Sequence, residues 1–241
     1  MPLLSIVIPA YNEAEFIGTL LQRILAVPLE ILGFEKEIVV VDDGSKDKTA
    51  EIARGFAGVK VFTQVPNQGK GKAVQRGIRE STGDYVLVQD ADLEYDPMDY
   101  LVLLTALGPR ADSVYGSRIL GQIRDRMGSR LFPGRHPKQG FGPWLAGRLL
   151  TMWTLLLYGR WITDTLTAYK LYPAAVVRNM RVRTSGFETD HEITAKLIRG
   201  GHRIVEVPIS YFPRSVEAGK KIRPRDGFIA VWTLLKFRFI D

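Results

Sequence analysis

The feature that most constrains this chain is an alternation. Five short apolar runs, at residues 3–9, 37–41, 59–63, 84–89 and 113–116, are separated by segments with helical spacing or helix-start chemistry. Asn12-Glu13 is expected to open the first helix, with Ile17, Leu20, Leu21, Ile24 and Leu25 along its apolar face. Ser45 or Asp47 suits the cap of a helix over 48–54. Residues 71–79 read as a third helix, and residues 97–107 as a fourth, which starts at Pro97. Such a chain is expected to be α/β, a mostly parallel Rossmann-like sheet flanked by helices in a single domain, 1–241. Ligands of these sheets sit beyond the carboxyl ends of the strands. Three polar clusters fall at those ends: Tyr11-Asn12-Glu13, Asp42-Asp43-Gly44-Ser45 and Asp90-Ala91-Asp92.

Past Arg118 the alternation stops. Residues 119–142 are rich in Gly, Pro and Arg and are expected to be a mobile loop. Residues 144–162 are apolar but carry Arg148 and Arg160, which suits an interfacial or core helix. Further on, the pattern predicts a helix at 189–199, a strand at 203–211, a basic loop, and an amphipathic helix at 227–239. No run reaches 18 uninterrupted apolar residues, so no bilayer-spanning helix is expected, and residues 1–5 lack the charge and cleavage pattern of a signal peptide. Cysteine is absent, which excludes disulfides and thiolate chemistry.

The net charge is +7, and residues 119–142 and 214–225 each carry five basic residues against one acidic. These patches suit phosphate groups, nucleic acid or anionic lipid, and equally a solvated loop. No basic–aromatic interleaving of a nucleic-acid module is present, so no nucleic-acid partner is expected.

The chemistry concentrates at the strand ends. Asp90 and Asp92 close an apolar strand, where paired carboxylates repel and resist burial. A divalent cation removes that conflict, and Mg²⁺ is commonly held by one or two carboxylates plus substrate phosphates. Glu94 is placed to add a third oxygen. A lone Asp-x-Asp is also a common solvated turn. Asp42 and Asp43 follow the second strand and suit a ribose or base contact, or a helix cap. Gly69-Lys70-Gly71-Lys72 precedes the third helix, where glycines let backbone N–H groups approach an anion, although the P-loop spacing is missing. Glu188 and Glu192 lie one turn apart on one helix face. Arg214 and Lys220 flank a loop suited to phosphate, or to plain solvation. His136, His191 and His202 lack zinc spacing.

Together, Ile8-Pro9-Ala10-Tyr11-Asn12-Glu13, Val41-Asp42-Asp43-Gly44-Ser45 and Gln89-Asp90-Ala91-Asp92-Leu93-Glu94 resemble the motifs of a family 2 glycosyltransferase with a GT-A fold. The resemblance runs nearly end to end. Gly116-Ser117-Arg118, the stretch from Asp164 to Lys170, Gly186-Phe187-Glu188, and Arg214 with Lys220 are similar to the branch of dolichol-phosphate mannose synthases and dolichyl-phosphate glucosyltransferases. That resemblance implies a metal (Mg²⁺ or Mn²⁺) on Asp90, Asp92 and Glu94. It implies a nucleotide diphosphate sugar near Pro9, Tyr11, Glu13, Asp42, and Lys70 or Lys72. Arg118, Arg214 and Lys220 would face donor or acceptor phosphates. The mannose synthases often carry Gln where this chain has Glu94.

The implied reaction is inverting transfer of a hexose from GDP-mannose or UDP-glucose to a polyprenyl or dolichyl phosphate. Residues 1–118 would bind the donor and 119–241 the acceptor. The alternative is transfer to a saccharide hydroxyl in cell-envelope polysaccharide synthesis, with Asp164, Glu188 or Asp190 as base. The expected location is cytoplasmic and peripheral, at the cytoplasmic face of a membrane. There, Trp144, Trp153 and Trp161, with Arg148 and Arg160, would contact headgroups.

Overall fold

A computed structural model describes residues 1–108, 111–125, 127–128, 134, 141–213 and 224–240. The alternation folds as β1 (Leu3–Ala10), α1 (Ile17–Ala26), β2 (Glu35–Asp42), α2 (Thr49–Arg54), β3 (Val59–Thr63), α3 (Lys70–Glu80) and β4 (Tyr85–Val88). A 3₁₀ turn (Pro97–Asp99) leads into α4 (Tyr100–Thr105), followed by β5 (Ser113–Ser117) and α5 (Arg118–Arg124). The remaining elements are α6 (Phe141–Tyr158), β6 (Lys170–Pro173), α7 (Ala174–Arg178), α8 (Thr189–Arg199), β7 (Ile204–Pro208) and α9 (Pro224–Phe239).

The described strands form one sheet in the order β3-β2-β1-β4-β6-β5-β7. All neighbours run parallel except β6, which is antiparallel to both β4 and β5. Both faces are covered, which is why β1 and β2 read as unbroken apolar runs. Leu4, Ile6 and Ile8 of β1 pack with α1 and α4 on one side, while Val7 meets Val74 and Ile78 of α3 and Ile193 and Leu197 of α8 on the other. Gly77 permits the close approach of α3, since a Cβ there would sit 2.2 Å from Val7 Cγ1.

Four expectations need correction. Asn12-Glu13 does not open α1. The Asn12, Glu13 and Ala14 N–H groups instead donate to Ser45 Oγ, Thr49 Oγ1 and Asp47 Oδ2, and the helix starts at Ile17. Leu25 faces solvent, being 43% exposed. The loop expected from residue 119 is helical over α5, because the Ser117 hydroxyl accepts the Leu120 N–H and caps it; most of 126–140 lies outside the described residues. Finally, β6 and α7 had no expected counterpart.

A polar row crosses the apolar sheet. Glu37 of β2 accepts from the Ser5 hydroxyl, from the Thr82 N–H and hydroxyl, and from the Lys60 ammonium. Burial alone would raise its carboxyl, but these partners outweigh it and hold it down to about 2, against an ordinary 4.5. A depressed carboxylate stabilises the fold above its unfolded pKa, and the gain is lost as pH falls through the folded value. Glu37→Gln should therefore lower unfolding free energy by about 1–2 kcal/mol at neutral pH, less than the full shift because its partner Lys60 is 47% exposed and the pair is screened by solvent. Urea titrations should show the gap to wild type closing between pH 4.5 and about 2.

Candidate active site

The chain leaves β1 for β2 and β3 on one side and returns to β4 on the other, so the strand order reverses between β1 and β4. Loops diverge at such a point and leave a crevice beyond the strand ends. The ends of β1, β2 and β4 bring Tyr11 and Glu13, Asp42 and Asp43, and Asp90 and Asp92 to that edge, while Pro9 lies within β1 opposite Val41 of β2.

The two adjacent aspartates do different work. Asp42 is buried, and its Oδ1 lies 3.3 Å from the Ser45 N–H. Asp43 accepts from Gln64 Nε2 at 2.6 Å and from the Gln68 and Gly69 N–H groups at 2.8 Å each. The anion met by the Gln68 and Gly69 N–H groups, just before α3, is thus the protein's own Asp43. Gly69 adopts φ 96°, and a Cβ on Gly71 would sit 1.9 Å from Thr189 Oγ1, so these glycines also let α3 press against the 185–189 segment.

That packing places Lys70 among acids. Its Nζ lies 2.7 Å from Asp90 Oδ1 and 4.0 Å from Asp190 Oδ2, and 5.5 Å from the centre of the Phe187 ring. Burial would lower the ammonium's pKa, but Asp90 and Asp190 overcome it and raise it above its ordinary value. Lys72 lies farther along α3, with its Nζ 3.4 Å from Gln75 Oε1.

A second charge centre forms at the end of β5. Arg118 donates Nε to Asp164 Oδ2 at 2.7 Å and Nη2 to Oδ1 at 2.8 Å, and its backbone N–H also reaches Oδ2. The guanidinium lies over the Tyr211 ring, 4.9 Å from its centre. Burial pushes the Asp164 carboxyl up, but Arg118 overrides this and holds it below the usual range. Such a carboxylate stays ionised and is a weak base.

Between the two centres lies a polar and aromatic floor that residue types alone did not reveal. Gln89 is fully buried, and its Oε1 accepts from the Tyr100 and Tyr169 hydroxyls at 2.6 Å each. Tyr95 stacks on Tyr169 at 4.6 Å between centroids. Lys170 is fully buried, hydrogen-bonds the Thr165 carbonyl at 3.2 Å, and has its ammonium pKa lowered by burial. The one available signal was polarity at the end of an apolar strand run, at Gln89.

Glu94 is buried and accepts the Tyr211 hydroxyl at 2.7 Å. Among the described residues no three His, Cys, Asp or Glu side chains gather as a metal cluster. Leu93 sits between Asp92 and Glu94 at φ 58°, and the Glu94 carboxylate meets Tyr211. Two carboxylates remain at the β4 end, a donor set that suits Mg²⁺ when diphosphate oxygens complete the shell. Glu188 folds back to accept the Gly186 N–H at 3.1 Å. Glu192 is buried and takes the Arg183 and Thr184 N–H groups, so it serves the fold. His191 is buried, and burial followed by the nearby Lys170 lowers its pKa to about 3, which keeps it neutral. Arg214 and Lys220 lie outside the described residues.

The doubly wound sheet, with carboxylates and cations at its switch point, has the GT-A glycosyltransferase fold. The chain belongs to glycosyl transferase family 2, whose model matches residues 5–140. It is 32% identical over 213 residues to a dolichol-phosphate mannosyltransferase of Pyrococcus furiosus, covering 86% of this chain and 56% of that protein. It is 30% identical over 215 residues to an undecaprenyl-phosphate 4-deoxy-4-formamido-L-arabinose transferase of Edwardsiella ictaluri, covering 87% and 60%. The chain thus spans somewhat over half the length of these relatives. Glucosyl-3-phosphoglycerate synthase from Mycobacterium tuberculosis, solved with UDP, matches with a TM-score of 0.72 at 20% identity, covering all of this chain and 81% of that one. At that identity the likeness is one of fold.

Proposed function

We propose that this chain moves a hexose from a nucleotide diphosphate sugar, GDP-mannose or UDP-glucose, to a polyprenyl or dolichyl phosphate, with inversion. The observation that carries this reading is Arg118. Asp164 holds the Nε–Nη2 edge of its guanidinium, and among the described residues Nη1 makes no hydrogen bond. A guanidinium held in this way is pre-organised for phosphate. The names of the Pyrococcus and Edwardsiella relatives, which specify polyprenyl-type phosphate acceptors, support the same class.

A phosphate acceptor is already anionic near neutral pH, since its second pKa is about 6. It needs placement more than deprotonation. The state of the carboxylates agrees with this: Asp164 is held by Arg118, and Glu188 is turned onto its own loop. Asp190, with only a 4.0 Å pairing to Lys70, is the residue on which transfer to a saccharide hydroxyl would have to rely. Asp90 and Asp92 would hold Mg²⁺ or Mn²⁺, which when bound neutralises charge on the departing diphosphate. The mycobacterial synthase has been crystallised with either ion, which supports that choice. Lys70 adds positive charge beside Asp90, and Tyr11, Glu13 and Asp42 would border the nucleotide. In this reading residues 1–118 carry the donor half and 119–241 the acceptor half.

The protein would work at a membrane surface. No helix among the described residues is long and apolar enough to cross a membrane. On α6, however, Phe141, Leu145, Leu149, Met152 and Leu156 form one exposed stripe, with Leu156 74% exposed. Phe228, Trp232 and Phe239 of the adjoining α9 are also exposed, and Arg160 and Arg238 lie at the helix ends. The inner faces pack together and on α8 through Leu150, Ala195, Leu234 and Phe237. Two residues expected at the headgroups face inward instead. Trp153 donates its Nε1–H to the Val231 carbonyl, and Arg148 donates to the Thr163 carbonyl. Apolar contact with basic edges gives weak, reversible lipid binding.

Transfer should be assayed across nucleotide sugars with a short polyprenyl phosphate and with free saccharides, each with and without Mg²⁺ or Mn²⁺. Transfer to the lipid phosphate is expected, and activity confined to saccharides rejects the acceptor. In flotation with anionic liposomes, binding should fall on Leu156→Asp with Trp232→Asp and be little changed by Trp153→Ala. A protein that stays in the soluble fraction at low salt overturns the surface model.

A further inference from the structure

We propose that Arg148 is a positioning residue, anchoring the Thr163–Asp164 turn to α6 so that Asp164 aims Arg118 at the acceptor; the acceptor's identity rests on the lipid-phosphate reading above. Arg148 Nη2 donates to the Thr163 carbonyl at 2.7 Å, and Thr151 Oγ1, one turn along α6, reaches the same oxygen at 3.1 Å. The other side of the turn is held by β7. Glu206 accepts the Thr163 N–H at 2.7 Å, the Thr163 hydroxyl at 2.8 Å and the Asp164 N–H at 3.0 Å. The Thr163 hydroxyl is also 2.7 Å from Ser117 Oγ, which caps α5. The backbone that carries Asp164 is therefore gripped by α6, β5 and β7 at once, and its carboxylate takes three N–H groups of Arg118.

Charge makes the same connection. The knot holds two guanidiniums, Arg118 and Arg148, and two carboxylates, Asp164 and Glu206. Burial lowers the Arg148 pKa, and Asp164 and Glu206 act against that, as they do only for a cation near them. Among the described residues Arg148 Nε is buried without a hydrogen-bond partner, while Nη2 makes the bond to the turn. A side chain serving only to pack would be better apolar. The same helix presents its apolar stripe outward, so the element that meets the lipid also sets the acceptor arginine.

The test compares Arg148→Met, Arg148→Lys and Thr151→Val. In Arg148→Met the KM for lipid phosphate should rise about 10- to 100-fold, the scale of losing one hydrogen bond made by a charged group. The KM for the nucleotide sugar should hold. Arg148→Lys, which keeps a charge and a donor, should recover most of the loss. Adding Arg148→Met to Asp164→Asn should produce little further change, because both act through Arg118. Equal rises in both KM values mean general loosening and overturn the inference. Hydrogen exchange of the Arg118 Nε–H, read by NMR, is independent of any acceptor. It should lose protection in Arg148→Met, and wild-type protection there overturns the inference. If wild type ignores lipid phosphates while Arg148→Met releases Arg118, the acceptor reading falls and the positioning role stands.

Discussion

Asp92→Asn should lower sugar transfer by roughly 10²- to 10³-fold, the scale seen when one electrostatic stabiliser of a developing charge is removed, with the fold retained. Asp92 is half-buried at the β4 end, and its Oδ1 is 3.2 Å from the Glu94 N–H, a contact that an asparagine oxygen can keep. The change removes the negative charge and keeps the size of the side chain. Asp90→Asn should be similar in size but mixed in origin, since it also takes from Lys70 its 2.7 Å partner and leaves the 4.0 Å contact with Asp190. Steady-state rates across a Mg²⁺ titration check both. Wild-type turnover of Asp92→Asn at saturating Mg²⁺ would remove Asp92 from the machinery. Because Glu94 is bonded to Tyr211, Glu94→Gln should cost far less than either.

Arg118→Met should cost both stability and activity. Asp164 is 5% exposed and would be left as a buried charge without its bidentate partner. Breaking a buried pair on one side typically costs about 3–5 kcal/mol. Asp164→Leu should be comparably damaging, by stranding the guanidinium. The double variant Arg118→Met with Asp164→Leu should recover much of the stability, because neither charge remains to be solvated, yet it should stay inactive toward a phosphate acceptor. Denaturant titration and acceptor kinetics on the three proteins separate the two effects. A double variant with wild-type acceptor KM would show that the pair serves only the fold.

These expectations depend on contacts of different legibility. The strands β1 to β5 were readable because a strand covered on both faces must be apolar throughout, and that leaves a run in the sequence. Tyr11, Asp42, Asp90 and their neighbours were readable as site residues for a related reason. Polar groups that follow such a run must lie beyond the strand end, and in a parallel sheet all those ends share one edge. Strand β6 left no such trace. It has four residues, one a buried lysine and one a proline, and its antiparallel place between β4 and β5 depends on partners 57 and 84 residues away in the Leu171 pairings with Val114 and Leu87 rather than on local propensity.

The same division runs through the site. Residue type and spacing determined the fold class, the crevice edge, and the acids and cations gathered there. Tertiary structure decided which groups meet: Lys70 with Asp90 and Asp190, Arg118 with Asp164, Asp43 with the start of α3, and Glu94 with Tyr211. It also decided which way α6 faces. The helix is apolar on most sides, so its sequence could not say that Arg148 and Trp153 turn inward while Leu149 and Leu156 turn out. Periodicity reports burial averaged over a turn. A hydrogen bond or ion pair depends on where two distant backbones come together, and that is set only when the sheet closes.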